Sequence, residues 1–130
     1  MSRPVISAIT LGVADLDRAL AFYHDGLGWP LAGRSRGVAW LDTGGTRLAL
    51  FPAADLAAYG GVEAGSGGVL LSHNVASAAA VDALLERARR AGARILRPAG
   101  AMEWGGRAGF FSDPDGHAWE VVWNLRWQEQ

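Results

Sequence analysis

Glu120 is the residue of this chain best suited to chemistry. It lies in the run Ala118 to Trp123, where alternation sets Ala118, Glu120 and Val122 on one face and Trp119, Val121 and Trp123 on the other. A carboxylate on a face that lines an apolar pocket can act as a general acid or base. The other reading is a carboxylate held by a hydrogen bond from Thr10, Arg47 or a tryptophan. Three histidines are the next candidates. His73 falls in the strand-like run Val69 to Val75. His24 closes a helical stretch, where a cation suits the carbonyl end of the dipole. His117 follows the turn Asp113-Pro114-Asp115-Gly116, in which Pro presets φ and Gly accepts a positive φ. The three show no His-x-x-x-His spacing, so they announce no metal site.

Several chemistries are excluded outright. There is no cysteine, hence no disulfide, thiolate nucleophile or Cys-ligated metal. There is no lysine, since all twelve cationic residues are Arg, which removes Schiff-base and P-loop chemistry. This Arg-only, Ala- and Gly-rich usage points to a GC-rich bacterial genome. The net charge is −1 with no basic block, so neither nucleic acid nor an anionic membrane is an expected partner. No apolar run is long enough to span a bilayer and no signal peptide is legible, so a cytoplasmic location is expected. With 130 residues, half of them hydrophobic, the chain can bury one substantial core.

The elements that must position these groups come in two similar segments. In Val5 to Val13, Ile9, Leu11 and Val13 alternate with Ala8, Thr10 and Gly12. Asp15 is placed to cap a helix carrying Leu16, Ala19, Leu20 and Tyr23 on one face, ended by Gly26 and Gly28. Short strands are predicted near Pro30 to Ser35, Val38 to Asp42 and Arg47 to Phe51. The second segment repeats the order: a strand from Val69 to Val75, then a helix capped by Ser77 that aligns Val81, Leu84, Leu85 and Ala88. A strand at Arg94 to Arg97 follows, and then a hairpin of Trp104 to Ser112 with Ala118 to Trp123. Residues 53–68 are small and Gly-rich and read as a linker, with one helical turn around Ala54 to Tyr59. The expected organisation is a single domain over 1–130, with module one at about 4–52 and module two at about 69–124.

The stretches Leu11-Gly12-Val13-Ala14-Asp15-Leu16, Phe22-Tyr23, Leu27-Gly28 and Asp113 to Glu120 resemble the vicinal oxygen chelate superfamily. That group contains glyoxalase I, extradiol dioxygenases, fosfomycin-modifying enzymes and bleomycin-type resistance proteins. Trp104-Gly105-Gly106 and the ending Trp119 to Asn124 resemble an uncharacterised glyoxalase-like sub-group. The resemblance covers roughly Ile6 to Asn124. It implies an α+β fold of two tandem βαβββ modules, forming a curved mixed sheet around a cleft with helices on the outer face. It also implies a homodimer, for which Trp29, the linker and Trp127 are candidate contacts.

Metal-dependent members carry four ligands, and the resemblance maps them onto Ala8, Ala49, Leu70 and Glu120. Only Glu120 can ligate, whereas a stable divalent site needs about three or four protein ligands. His73 has the opposite strand parity to Leu70 and is expected to face the helix layer. The expectation is therefore a binding protein for an apolar or aromatic small molecule, with no metal and no cofactor. Its cleft would be lined by Ala8, Thr10, Trp40, Arg47, Ala49, Phe51, Leu70, Trp104 and Phe110. Arg47 would meet an anionic ligand group, or pair with Glu120 or Asp42. The alternative is a lyase or isomerase using Glu120 as general base, with or without a divalent metal.

Overall fold

Period-two alternation in the strands and a cap ahead of each first helix produce one local pattern twice. The structure is a computed structural model that describes residues 4, 6–35, 37–63 and 67–124. Val5, Leu125 and Trp127 lie outside these residues. The chain divides into two compact units, residues 1–65 and 66–130. Each has its own four-stranded mixed sheet with helices, an α+β arrangement of two tandem modules.

In the first unit, β1 (Ala8–Val13), β2 (Leu31–Ser35), β3 (Val38–Leu41) and β4 (Arg47–Pro52) are ordered β1-β4-β3-β2. β1 and β4 run parallel, and the other pairs are antiparallel. One face carries Leu11, Val13, Ala39, Leu41, Leu48 and Leu50, all buried. Helix α1 (Leu16–Leu20) begins where the Asp15 side chain accepts the Arg18 backbone N–H at 3.1 Å. It widens into a π-helical turn, Ala21–Gly26, where the Leu27 N–H donates to the Phe22 carbonyl five residues back. Phe22 and Tyr23 are both buried there, with edge-to-face rings 4.9 Å apart. Fully burying side chains of this size contributes about 1.5–3 kcal/mol each.

The segment expected to be a linker contains a two-turn helix, α2 (Ala53–Gly60), closed by Gly61 in the left-handed region. It extends the single helical turn expected around Ala54 to Tyr59, since Ala and Gly carry little periodic signal for more. α2 covers the sheet face opposite α1. A Cβ at Gly12 would stand 3.2 Å from Leu56 and 3.8 Å from Ala53.

In the second unit, β5 (Leu70–Asn74), β6 (Arg94–Ala101), β7 (Arg107–Ser112) and β8 (Ala118–Trp123) are ordered β5-β8-β7-β6, with β5 parallel to β8. β6 runs four residues beyond its expected end at Arg97. Helix α3 (Ala78–Arg90) is capped by Ser77, whose side chain accepts the Ala80 N–H at 3.1 Å. Val81, Leu85 and Ala88 pack as one buried stripe, and Phe111, Trp119 and Val121 are buried on the sheet beneath. The β7–β8 connection is held by Asp113, whose Oδ1 accepts the backbone N–H groups of Asp115 at 2.9 Å and His117 at 2.8 Å.

The two units repeat at the level of register. Thr10 faces Ala49 and Ser72 faces Glu120 across the parallel pairs; Trp40 faces Ala49 and Phe110 faces Glu120 across the antiparallel ones. Even the irregularity recurs. A shift between Leu31 and Gly33 sets Gly33 against Trp40, and one between Ile95 and Arg97 sets Arg97 against Phe110.

Gly109 on β7 lets α3 approach the sheet: an added Cβ would overlap the Leu85 side chain and stand 3.2 Å from the Ala99 backbone. Gly109→Ala is expected to cost about 1–3 kcal/mol in urea unfolding. In a Leu85→Ala background the same change should cost clearly less. Equal penalties in both backgrounds would show that Leu85 is not what the glycine accommodates.

Candidate functional site

The face of each sheet that points away from α1 or α3 carries the site residues expected from sequence. In the first unit, register brings Ala8, Thr10, Trp40, Arg47, Ala49 and Phe51 onto one face. The Arg47 guanidinium carbon lies 5.8 Å from the centre of the Trp40 ring, a cation–π contact. No ion pair joins it to Asp42 of the same unit among the described residues. Phe51 meets Tyr59 of α2 at 5.8 Å, and Tyr59 itself is 82% exposed. Ala49 is on the expected face but only 1% exposed, so it is sealed from solvent and is not an open wall. Trp29 packs on Tyr23 at 5.4 Å within its own unit.

In the second unit, Leu70, Phe110 and Glu120 share a face. The Glu120 carboxylate takes its hydrogen bond from Ser72, whose Oγ donates to Oε1 at 2.8 Å. This partner, on the same sheet, is not among those expected from the sequence. Ser72 has the parity of Leu70 and lies directly opposite Glu120, so strand alternation could have found it. Trp104 sits outside the strands, in the β6–β7 turn. Its half-exposed ring lies across Gly106, where an added Cβ would overlap it.

Read across the strands, the second sheet shows a row of Ser72, Glu120, Phe110 and Arg97. The equivalent row of the first sheet is Thr10, Ala49, Trp40 and Gly33. A hydroxyl and an aromatic ring occur in both rows. The carboxylate and the guanidinium occur in one. Polar chemistry is therefore concentrated on the second sheet.

The helix-side charges are engaged elsewhere. Arg107 makes a two-point ion pair with Asp82, both contacts at 2.8 Å, and holds that carboxyl below its usual range. Glu86 accepts hydrogen bonds from Arg89 and Arg90 and is drawn down to about 2. His24 bonds the Trp29 carbonyl through Nδ1 at 2.7 Å. His117 is buried in the Asp113 turn. His73 lies opposite Val121, on the α3 side, as its parity requires.

This donor set does not fit a divalent metal. Of Ala8, Ala49, Leu70 and Glu120, one side chain can ligate. Among the described residues no three His, Cys, Asp or Glu side chains gather into a metal-binding group.

The chain matches the family model of the Glyoxalase/Bleomycin resistance protein/Dioxygenase superfamily over residues 5–121. Among solved structures it is similar to a glyoxalase-related enzyme from Fulvimarina pelagi, with 38% identity and a TM-score of 0.85, over 92% of this chain and 88% of that one. It is also similar to a glyoxalase/bleomycin resistance protein/dioxygenase from Nocardioides, with 31% identity and a TM-score of 0.77, over 96% and 86%. A search of functionally curated proteins found no match. Among the described residues no helix is long and apolar enough to cross a membrane.

Burial lowers the pKa of His73 below its ordinary 6.5. The unfolded chain therefore takes up this proton first as the pH falls. Stability is full above pH about 6.5 and declines below it. Urea midpoints measured from pH 7.5 to 5.5 should fall less steeply in His73→Gln than in the wild type. Identical slopes would remove His73 as the cause.

Proposed function

The chain belongs to the glyoxalase/bleomycin resistance protein/dioxygenase superfamily, and from that premise we propose that it binds an apolar or aromatic small molecule without a metal. One observation carries this reading. Trp40 and Phe110 hold equivalent positions in the two sheets, beside Ala49 and Glu120, onto which the resemblance maps two of the family's metal ligands. Of these two, Ala49 has no donor atom in its side chain. Flat rings favour stacking and area burial, where an aromatic pair contributes about 0.5–1.5 kcal/mol beyond burial. Trp104 adds a half-exposed ring on the second unit.

A second reading is supported by the Ser72 hydrogen bond. It fixes Oε1 of Glu120 and leaves Oε2 to accept a proton, as a lyase or isomerase base would. The likeness to a glyoxalase-related enzyme favours it as well.

Elemental analysis of protein purified without chelator, with Glu120→Ala alongside, separates the metal-dependent and metal-free forms. No stoichiometric metal is expected, and planar apolar probes should still quench tryptophan fluorescence in the presence of chelator. Trp40→Ala should weaken that binding by roughly tenfold. Stoichiometric Ni, Zn, Mn or Fe that disappears in Glu120→Ala would overturn the metal-free reading. Turnover of a carbon acid that is lost in Glu120→Gln would establish the second reading over the first.

A further inference from the structure

The row Ser72–Glu120–Phe110–Arg97 specifies more than an apolar ligand. Glu120 and Arg97 stand on either side of Phe110, one strand away in each direction. Arg97 is exposed, and its side chain makes no ion pair or hydrogen bond among the described residues. Ile95, Pro98 and Ala99 of the same strand line a depression against Leu85 of α3, and Arg97 is not part of it. The shift between Ile95 and Arg97 accounts for this, by setting Arg97 opposite Phe110. Glu120 is half-buried, with Oε1 taken by Ser72 and Oε2 open. The two charges do not neutralise each other: no salt bridge joins them.

We propose that this row is a subsite for a zwitterion of the amino-acid type, its ammonium at Glu120, its carboxylate at Arg97 and its apolar part on Phe110. The inference rests on the small-molecule reading above and names the class of ligand. Two strand spacings separate the backbones of Glu120 and Arg97 by about 9–10 Å. Both side chains are long and start from the same face. A ligand with an ammonium and a carboxylate on one carbon, each adding a charge-assisted hydrogen bond of about 2.8 Å, therefore lies within their joint reach. The Phe110 ring beneath attracts the ammonium through its face. The guanidinium offers a two-point fork to the carboxylate. Ser72 positions Glu120 by holding one oxygen, so that the other presents in one direction. The first sheet has Ala49 and Gly33 at the equivalent places and can supply neither contact.

The test uses the full chain and four probes that share a naphthyl group, titrated by calorimetry. They are naphthylalanine, the amine lacking its carboxylate, the acid lacking its amine, and a neutral naphthyl alcohol. Naphthylalanine should bind about tenfold more tightly than either singly charged probe. Glu120→Gln keeps a partner for Ser72 and should reduce naphthylalanine to the affinity of the acid. Arg97→Met, at an exposed position, should reduce it to the affinity of the amine while leaving the amine itself unchanged. Arg90→Met, on the exposed side of α3, should leave the order of the four probes as it is. Equal affinity for all four would sink the zwitterion subsite and leave the apolar-ligand reading standing. If Arg90→Met rather than Arg97→Met abolished the preference, the subsite would be misplaced. Failure of all four to bind would overturn both readings together.

Discussion

Everything in this protein depends on strand register. A β-strand presents alternate residues to opposite faces, so a slip of one residue would bury Thr10 and Glu120 and expose Leu11 and Val121. Two parallel pairs set that register. Ala8 lies opposite Arg47 in one, and Leu70 opposite Ala118 in the other. On the helix side, Leu11, Val13, Leu48 and Leu50 in the first unit hold the choice, as Phe111, Trp119 and Val121 do in the second. The hydrophobic core is thus what aims the polar row, although no core residue belongs to it.

The capped helices make this anchoring local. Asp15 and Ser77 each satisfy an N–H at the start of the first helix after the first strand, so the chain turns out of β1 and β5 in the same way. On the second sheet Gly109 removes the side chain that would hold α3 away, and Leu85 fills the space. Close contact there leaves little freedom for β7 to shift along β8. The pairing of Phe110 with Glu120 is correspondingly firm.

Much of this was legible in the sequence because period two is a strong signal. The faces of β1, β4 and β8 follow from alternation alone, and so does the placement of His73 on the helix side. Other features were legible in part or not at all, each for a physical reason. α2 shows in the sequence only as one turn around Ala54 to Tyr59, because Ala, Gly and few apolar anchors give no clear helical stripe. The place of Arg97 depends on a strand irregularity, which adds a residue and breaks the parity that sequence reading relies on. Ser72 was within reach, since it shares a face with Leu70, but its importance appears only once β5 is paired with β8. Ala49 shows the remaining gap: parity gives its face, whereas its burial depends on neighbours that a one-dimensional pattern does not contain.

The recurrence of the same backbone irregularity beside Trp40 and Phe110 has an evolutionary consequence. Side chains in the two rows differ in chemical class at two of four positions, while the register shift that aims them occurs in both. Duplication would leave such a trace if the backbone frame were held and its occupants were left to drift. One half then serves as an unfurnished copy of the other. Carboxylate and guanidinium at positions 49 and 33 would find a frame already cut to receive them, so chemistry can move between halves of such a chain without any new architecture.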